Sequence, residues 1–471
     1  MRKYGIAALL ALLCMPQVHS DVISEARDLL DSGKSQEALD LLLDELEADP
    51  ENPSAGNLNV LIGEALIRQG DFNEAKGYLE VGKSRGVADA SLWLGKLALR
   101  NYDLPAASSL YDNYIRMKTN ARKEYDRKAE AQRNAIPKVK EALKRVERVQ
   151  IIDSIDVPAE DFFSHFRLSR SAGRLLTPEE TPFPDLASEA DVVFMTENGE
   201  SAFWNMTDSL GRKSIVESIR LTDGSWHDPV FTPEILNGGG NASFPFMMPD
   251  GLTLYFANDG EDSLGGYDIF VASRDASDGS WLSPQNMGMP YNSPYDDYMM
   301  AIDEATGIGW WATDRNLNPG NLTIFVFVPN ERRINIDPEE TDPLPFARIS
   351  DISATWEPET DIEALKEMIA SIDGGSDADR EQFRFRFPDG TLATRFDQLS
   401  SEEQVSAMRK YLEAEESYND SRARLEALRK DYHFNGSTAA LKLQISDLEA
   451  LVLKNKKNLR RLKNELIRTN N

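Results

Sequence analysis

The sequence predicts a multidomain chain of α plus all-β class: an N-terminal α-solenoid, a central β-propeller of about five blades and a C-terminal antiparallel coiled-coil hairpin. Three observations carry that expectation. A turn motif occurs three times in the first third, at the spacing of a helix–turn–helix repeat. A second motif returns after 55 residues in the middle, where β-branched and aromatic residues are frequent. Two heptad seams close the chain. The 471 residues suffice for two to four domains, and 41% hydrophobic with 28% charged residues is a globular composition.

Residues 1–20 read as an export signal. Arg2 and Lys3 precede the apolar run from Gly5 to Leu13, and Val18-His19-Ser20 offers a small-residue cleavage site. That run is too short to span a bilayer, so no integral membrane segment is expected in the mature chain. The rival reading acylates Cys14, but a lipobox needs a small residue before the cysteine and Leu13 stands there. Cleavage after Ser20 is the favoured reading, which places the mature chain in a bacterial periplasm or against the outer membrane. Cys14 is the only cysteine, so the mature chain can form no internal disulfide and no Cys-ligated zinc site. The net charge is -27, from 52 Lys and Arg against 79 Asp and Glu. Loss of Arg2 and Lys3 leaves 50 against 79, or -29. Such a chain repels nucleic acid.

Residues 21–147 carry the helical repeat. Gly33-Lys34-Ser35-Gln36-Glu37-Ala38 matches Gly70-Asp71-Phe72-Asn73-Glu74-Ala75 and, loosely, Asn101-Tyr102-Asp103-Leu104-Pro105-Ala106. The alanines are 37 and 31 residues apart, a mean of 34. Leu39, Leu42, Leu43 and Leu46 share one helix face, as do Leu58, Leu61, Ala65 and Leu66. On these residues the region resembles tetratricopeptide repeats, about three of them. A basic stretch follows, with Arg122, Lys123, Arg127, Lys128, Arg133, Lys138, Lys140, Lys144 and Arg145. An acidic partner, a solvated face paired with Glu124, Glu130 and Glu141, and docking onto the chain's own acidic surplus are its three readings. Pro137 is expected to kink this helix.

Residues 148–357 change period. Asp223-Gly224-Ser225-Trp226 returns as Asp278-Gly279-Ser280-Trp281, 55 residues on. Asn237 and Asn292, Tyr255-Phe256 and Trp310-Trp311, and Ile269-Phe270-Val271 and Ile324-Phe325-Val326 keep the same offset. One unit reads as four strands, Phe244 to Met248, Leu252 to Ala257, Tyr267 to Ser273 and Trp281 to Met287, with a tight turn at Pro249-Asp250-Gly251. Repeated four-stranded sheets suit a propeller, and 210 residues at roughly 40 to 55 per blade give about five. Phe246 to Phe256 followed by Gly265-Gly266-Tyr267-Asp268-Ile269-Phe270 resembles the WD-like (PD40-type) propeller repeats of bacterial envelope proteins related to TolB. Helical repeats ahead of such a propeller are similar to accessory proteins of the type IX secretion and OmpA-associated group. Its larger members end in an OmpA-like peptidoglycan-binding domain, where a coiled coil is expected here.

Residues 358–399 are expected to form a linker helix, Ile362 to Ile372, and a hairpin on Phe383, Phe385 and Phe387. Residues 400–471 carry two seams. Tyr411, Ala414, Tyr418, Ser421, Leu425, Leu428 and Tyr432 form one; Leu441, Ile445, Leu448, Val452, Asn455, Leu459, Leu462 and Leu466 form the other. Asn455 at a seam position can fix register or oligomer state. The seams can pair within the chain or between copies. The basic end, Lys454, Lys456, Lys457, Arg460, Arg461 and Lys463, reads as a solvated face or a membrane or acidic-partner contact.

No catalytic, cofactor-binding or metal-ligating residue is singled out. The histidines His19, His165, His227 and His433 are too scattered for a metal helix, and there is no Gly-x-Ser-x-Gly elbow and no phosphate loop. The Asp-Gly-Ser-Trp turns resemble the Asp-box of sialidases but lack a residue between Asp and Gly; the expectation is that Asp223 and Asp278 hold turns while Trp226 and Trp281 fill blade cores. Asp259, Glu261, Asp262 and Asp268 offer oxygen ligands to calcium or form a polar loop. Met247, Met248, Met299 and Met300 are expected in the core or a channel. The expected function is a non-catalytic envelope scaffold with protein partners. A glycan-binding or glycan-active protein is the alternative, and an oligomeric structural element is a third reading. Exposure of Trp204, Trp226, Trp281, Trp310 and Trp311 at one open mouth separates the glycan reading from the scaffold.

Overall fold

The computed structural model describes residues 15–50, 52–358, 360–372, 385–387, 392–393, 396–434 and 439–469. Cys14 and the expected signal core lie outside them. The chain divides into two compact units, Met1–Gly374 and Gly375–Asn471.

The first unit begins with α1 (Met15–Asp31), α2 (Ser35–Ala48), α3 (Ala55–Gln69), α4 (Phe72–Ser84), α5 (Ala88–Arg100), α6 (Leu104–Asn120) and α7 (Arg127–Ala142), each packed on the next. The repeat motif marks one local device. Lys34 N–H donates to Leu29 O and Gly33 N–H to Leu30 O; Asp71 and Gly70 do the same to Leu66 and Ile67, and Asp103 and Tyr102 to Ala98 and Leu99. Each pair satisfies the last carbonyls of a helix through a residue in the left-handed region: Gly33 at φ 75°, Gly70 at 86° and Tyr102 at 56°. The third copy is therefore slipped by one residue against the expected alignment. Tyr102, not Asn101, stands at the glycine position, and Ala107, fully buried, answers Ala38 and Ala75 in place of Ala106. Gly63 and Gly82 allow close crossing: a Cβ on Gly63 would lie 2.6 Å from Leu79 Cγ, and one on Gly82 2.6 Å from Val60. Helix α7 runs on through Pro137.

Three antiparallel sheets follow. The first orders β2 (Arg174–Leu176), β3 (Val193–Met195), β4 (Ser201–Thr207), β5 (Lys213–Ile219) and β6 (Val230–Phe231). After α8 (Glu234–Asn237), the second orders β7 (Ala242–Met247), β8 (Thr253–Asn258), β9 (Asp268–Ser273) and β10 (Gln285–Asn286). The third orders β11 (Asp297–Asp303), β12 (Ile308–Thr313) and β13 (Asn321–Val328), and its fourth strand is β1 (Gln150–Pro158), which follows directly on the helical region. Three sheets form here, not five. Residues 159–192 and 329–357 supply only β2, α9 (Leu344–Arg348) and short helical turns, so the full 55-residue length serves each repeated sheet.

The repeat is kept in register. In the second sheet Phe256 pairs with Phe270 and Tyr255 with Val271; in the third Trp311 pairs with Phe325 and Trp310 with Val326, each partner 55 residues on. Asn237 and Asn292 are also equivalent, each buried and each accepting, through Oδ1, the N–H of Ile215 in β5 or Ile269 in β9 of the preceding sheet. All three sheets contribute to one core, around Phe194, Phe203, Phe246, Phe256, Met299 and Trp310. Phe162, Phe163 and Phe166 join that core from the segment between β1 and β2. So do Leu365, Met368 and Ile369 of α10 (Ile362–Ser371), which thus belongs with the sheets and is no linker.

The second unit holds β14 (Phe385–Arg386) paired antiparallel with β15 (Leu392–Ala393), then α11 (Glu402–Phe434) and α12 (Ala439–Arg468). Phe383 and residues 388–391 lie outside the described residues. The hairpin packs on the helices, with Phe385, Phe387 and Ala393 beside Met408, Tyr411 and Leu466. The helices run antiparallel: Arg429 pairs with Glu449, whereas Asn455 reaches back to Ser417 O at 3.0 Å and Ser421 Oγ at 3.2 Å. The seam residues whose side chains are described are all buried or half-buried, whereas Leu451 and Leu453 beside the seam are exposed. Among the described residues, no helix is long and apolar enough to cross a membrane.

Candidate functional site

Within the first unit the helices and sheets meet at a buried junction. Leu92, Leu99, Tyr102, Tyr111, Tyr114 and Val139 pack there with Leu264, Met289, Tyr295 and Ala347. Polar groups add direction. Tyr295 Oη donates to Lys96 O at 2.5 Å, Gln132 Nε2 to Pro294 O at 3.0 Å and Tyr102 Oη to Ala347 O at 3.3 Å. Lys128 Nζ bridges Asp296 at 2.5 Å and Asp314 at 3.2 Å, and Lys138 reaches the carbonyl of Glu261. The basic stretch thus divides. Lys128 and Lys138 dock on the chain's own acidic loops, while Arg127, Arg133 and Lys144 pair with Glu130, Asp112 and Glu141 within the helices. Burial works against the Lys128 ammonium, but Asp314 and Asp296 outweigh it and raise its pKa. Burial pushes the Asp314 carboxyl up to about 6, against the pull of Lys128 and helped by Asp296.

Beneath the junction lies a buried ion pair, Arg315 with Asp297 at 2.7 Å. Arg315 also donates to Pro290 O, Tyr291 O and Thr313 Oγ1, so each of its three side-chain nitrogens is engaged. Asp268, of the glycine-rich strand motif, is buried too. Its Oδ2 accepts from Leu264 N and Asn286 Nδ2, its Oδ1 has no partner, and burial followed by the charge of Asp297 raises its pKa well above the carboxylate range. The other proposed oxygen ligands are spread out. Asp259 accepts from Asn241, and Glu261 and Asp262 offer backbone carbonyls to Lys138 and Asn286. Among the described residues no three His, Cys, Asp or Glu side chains gather as a metal-binding group. His165 and His227 are exposed and on separate segments; the side chains of His19 and His433 are not among those described.

Asp223 and Asp278 hold their turns as expected, accepting from Ser225 N and Ser280 N, and these hydrogen bonds with the serines keep both carboxyls below their ordinary pKa. The turn tryptophans pack against the cores without being buried in them. Trp226 is half-buried against Phe183 and Trp281 half-buried under the Arg274 guanidinium, because both stand at the outer margin of a sheet, bridged to Arg220 and Arg274. Trp204, Trp310 and Trp311 are the buried ones, at 0, 1 and 0% exposure. The tryptophans thus share no mouth. Met247, Met248, Met299 and Met300 are all buried.

The sequence reading missed one surface. Strand β6 is the outer edge of the first sheet, and Val230, Phe231, Ile219, Leu221 and Ile235 on it or beside it are 39 to 56% exposed. The counterpart of β6 in the second sheet is Gln285-Asn286, exactly one 55-residue step on, and in the third it is β1. The apolar dipeptide at the polar pair's repeat position was the available signal. No family model, no curated protein and no solved structure matches this chain.

Proposed function

We propose that this protein is a non-catalytic scaffold of the bacterial cell envelope, built from a tetratricopeptide-like solenoid, a WD-like propeller and an antiparallel coiled coil, and that it acts by binding protein partners. The exposed apolar edge of the first sheet carries the reading. Unpaired edge strands with apolar side chains are places where other chains add on, and soluble surfaces usually blunt them with charge. The junction adds support: it fuses helices and sheets into one compact unit, which suits a protein that presents surfaces at fixed separation. The export-like first twenty residues support the periplasmic or outer-membrane address. The glycan alternative needs tryptophans at one open mouth, and the placements above supply none.

The test places a photo-crosslinking residue at Phe231 in the full chain within cells, with Ser277, exposed between β9 and β10, as a control. A discrete adduct at Phe231 that is absent at Ser277, and capture lowered more than about five-fold by Phe231→Ser at unchanged melting temperature, supports the scaffold. Identical adducts at both positions, or none, overturns it.

A further inference from the structure

We propose that the partly open void lined by Arg100, Arg315 and Arg348, at the junction of helices and sheets, is a binding site for a small anion of halide size. The void is about 10 Å³, room for a body about as large as one water molecule. Its lining brings Arg100 at the end of α5 together with Arg315 after β12 and Arg348 at the end of α9. Three guanidiniums around one small space repel one another unless negative charge lies among them.

Only Arg315 has such a partner, Asp297. Arg100 holds one neutral hydrogen bond, Nη2 to Asn316 Oδ1 at 3.3 Å, and its guanidinium lies over the Phe72 ring at 3.9 Å. Arg348 holds two neutral ones, to Asn101 Oδ1 at 3.3 Å and Ser350 Oγ at 3.4 Å. Neither pairs with a carboxylate among the described residues. The contrast is with Arg68, Arg212 and Arg274, which pair with Glu64, Asp208 and Glu217.

Donors are also left over. Arg100 Nε and Arg348 Nε are buried and donate to nothing in the protein; Arg68 Nε and Arg274 Nε share that state, but only the first two line this void. The other polar side chains of the lining are committed: Tyr102 to Ala347, Tyr295 to Lys96 and Ser293 to Asp297. Leaving charged N–H groups buried and unmade is expensive, and one anion between them answers both the hydrogen bonds and the repulsion. Burial, and after it Arg348 and Arg315, lower the Arg100 pKa against the pull of Tyr295, as expected for a cation short of counter-charge. The void sits where α5 meets the sheets, so an anion there would fasten the two together.

The full chain is crystallised from sodium bromide and melted in sodium chloride and in sodium gluconate at equal ionic strength. The expected results are a bromide anomalous peak in contact with Arg100 and Arg348, and a saturable chloride-specific rise in melting temperature of about 3 °C. Arg348→Gln should reduce that rise to under about 1 °C. The bromide peak does not depend on whether the variant folds. Absence of the peak, or equal melting in chloride and gluconate, overturns the site.

Discussion

The second and third sheets are the same strand ladder written twice, yet they are closed in opposite ways. Phe256 faces Phe270 as Trp311 faces Phe325, and both sheets are reached through a buried asparagine. The second sheet then ends locally, on the two-residue β10. The third ends on β1, whose pairs run from Gln150 with Val328 to Pro158 with Asn321. A repeat in sequence therefore fixes what is local, the register of neighbouring strands. It leaves the closing strand to be found by long-range pairing, and here that strand is the one that leads out of the helices.

The largest expected effect breaks the comparison at the ion pair. One repeat before Arg315 stands Gly260, so the second sheet has no such pair. Arg315→Met leaves Asp297 buried and unpaired and should destabilise the first unit by about 3–5 kcal/mol in urea unfolding. A loss under about 1 kcal/mol would mean the pair is replaceable. Next come the two asparagines. Asn237→Ala and Asn292→Ala each strand a buried N–H, and each should lose about 1–3 kcal/mol; if only one does, the sheets are not equivalent. Hydrogen exchange sharpens the closure argument. Amides of β13 facing β1 should exchange with the global unfolding of the unit, while those of β9 facing β10 exchange faster. Equal protection would deny the difference.

The smallest effect concerns pH. The folded Asp314 carboxyl, at about 6, lies above the ordinary unfolded value near 4. Its proton is held more tightly in the fold, so its contribution is complete below about pH 4 and is lost as pH rises through about 6. Asp314→Asn should remove that decline. Urea midpoints of both proteins between pH 4 and 7 measure it, and a constant difference across the range counts against the assignment.

Much of this architecture was legible in the residues. The 55-residue echo located equivalent strands, the Pro249-Asp250-Gly251 turn located its hairpin, and the heptads located α11 and α12, because each of these signals is local. What escaped was non-local or paid for elsewhere. Tyr102 occupies a left-handed position that sequence rules reserve for glycine or asparagine, and its ring and hydroxyl are held by the junction, which no window of sequence contains. The sheet count failed because dividing 210 residues by a blade length counts residues 159–192 and 329–357 as blade, whereas they supply only β2, α9 and short helical turns, with Phe162, Phe163 and Phe166 packed on the core. The lysines of α7 showed charge but not direction; only the fold brings Lys128 to Asp296 and Asp314.

The pairing of β1 with β13 also decides how the first unit answers tension. The chain enters β1 at Gln150 and leaves β13 at Val328, and these two residues are partners at one end of the ladder. A pull between the helical region and the segment beyond β13 therefore loads the hydrogen bonds one after another, as a zipper, rather than all together in shear. At that same end Trp356 Nε1 donates to Ile151 O and Ile151 N donates to Thr355 Oγ1. Further out, Ile336 N donates to Val146 O and Arg148 N to Ile334 O, so these bonds too must slip before the zipper can run.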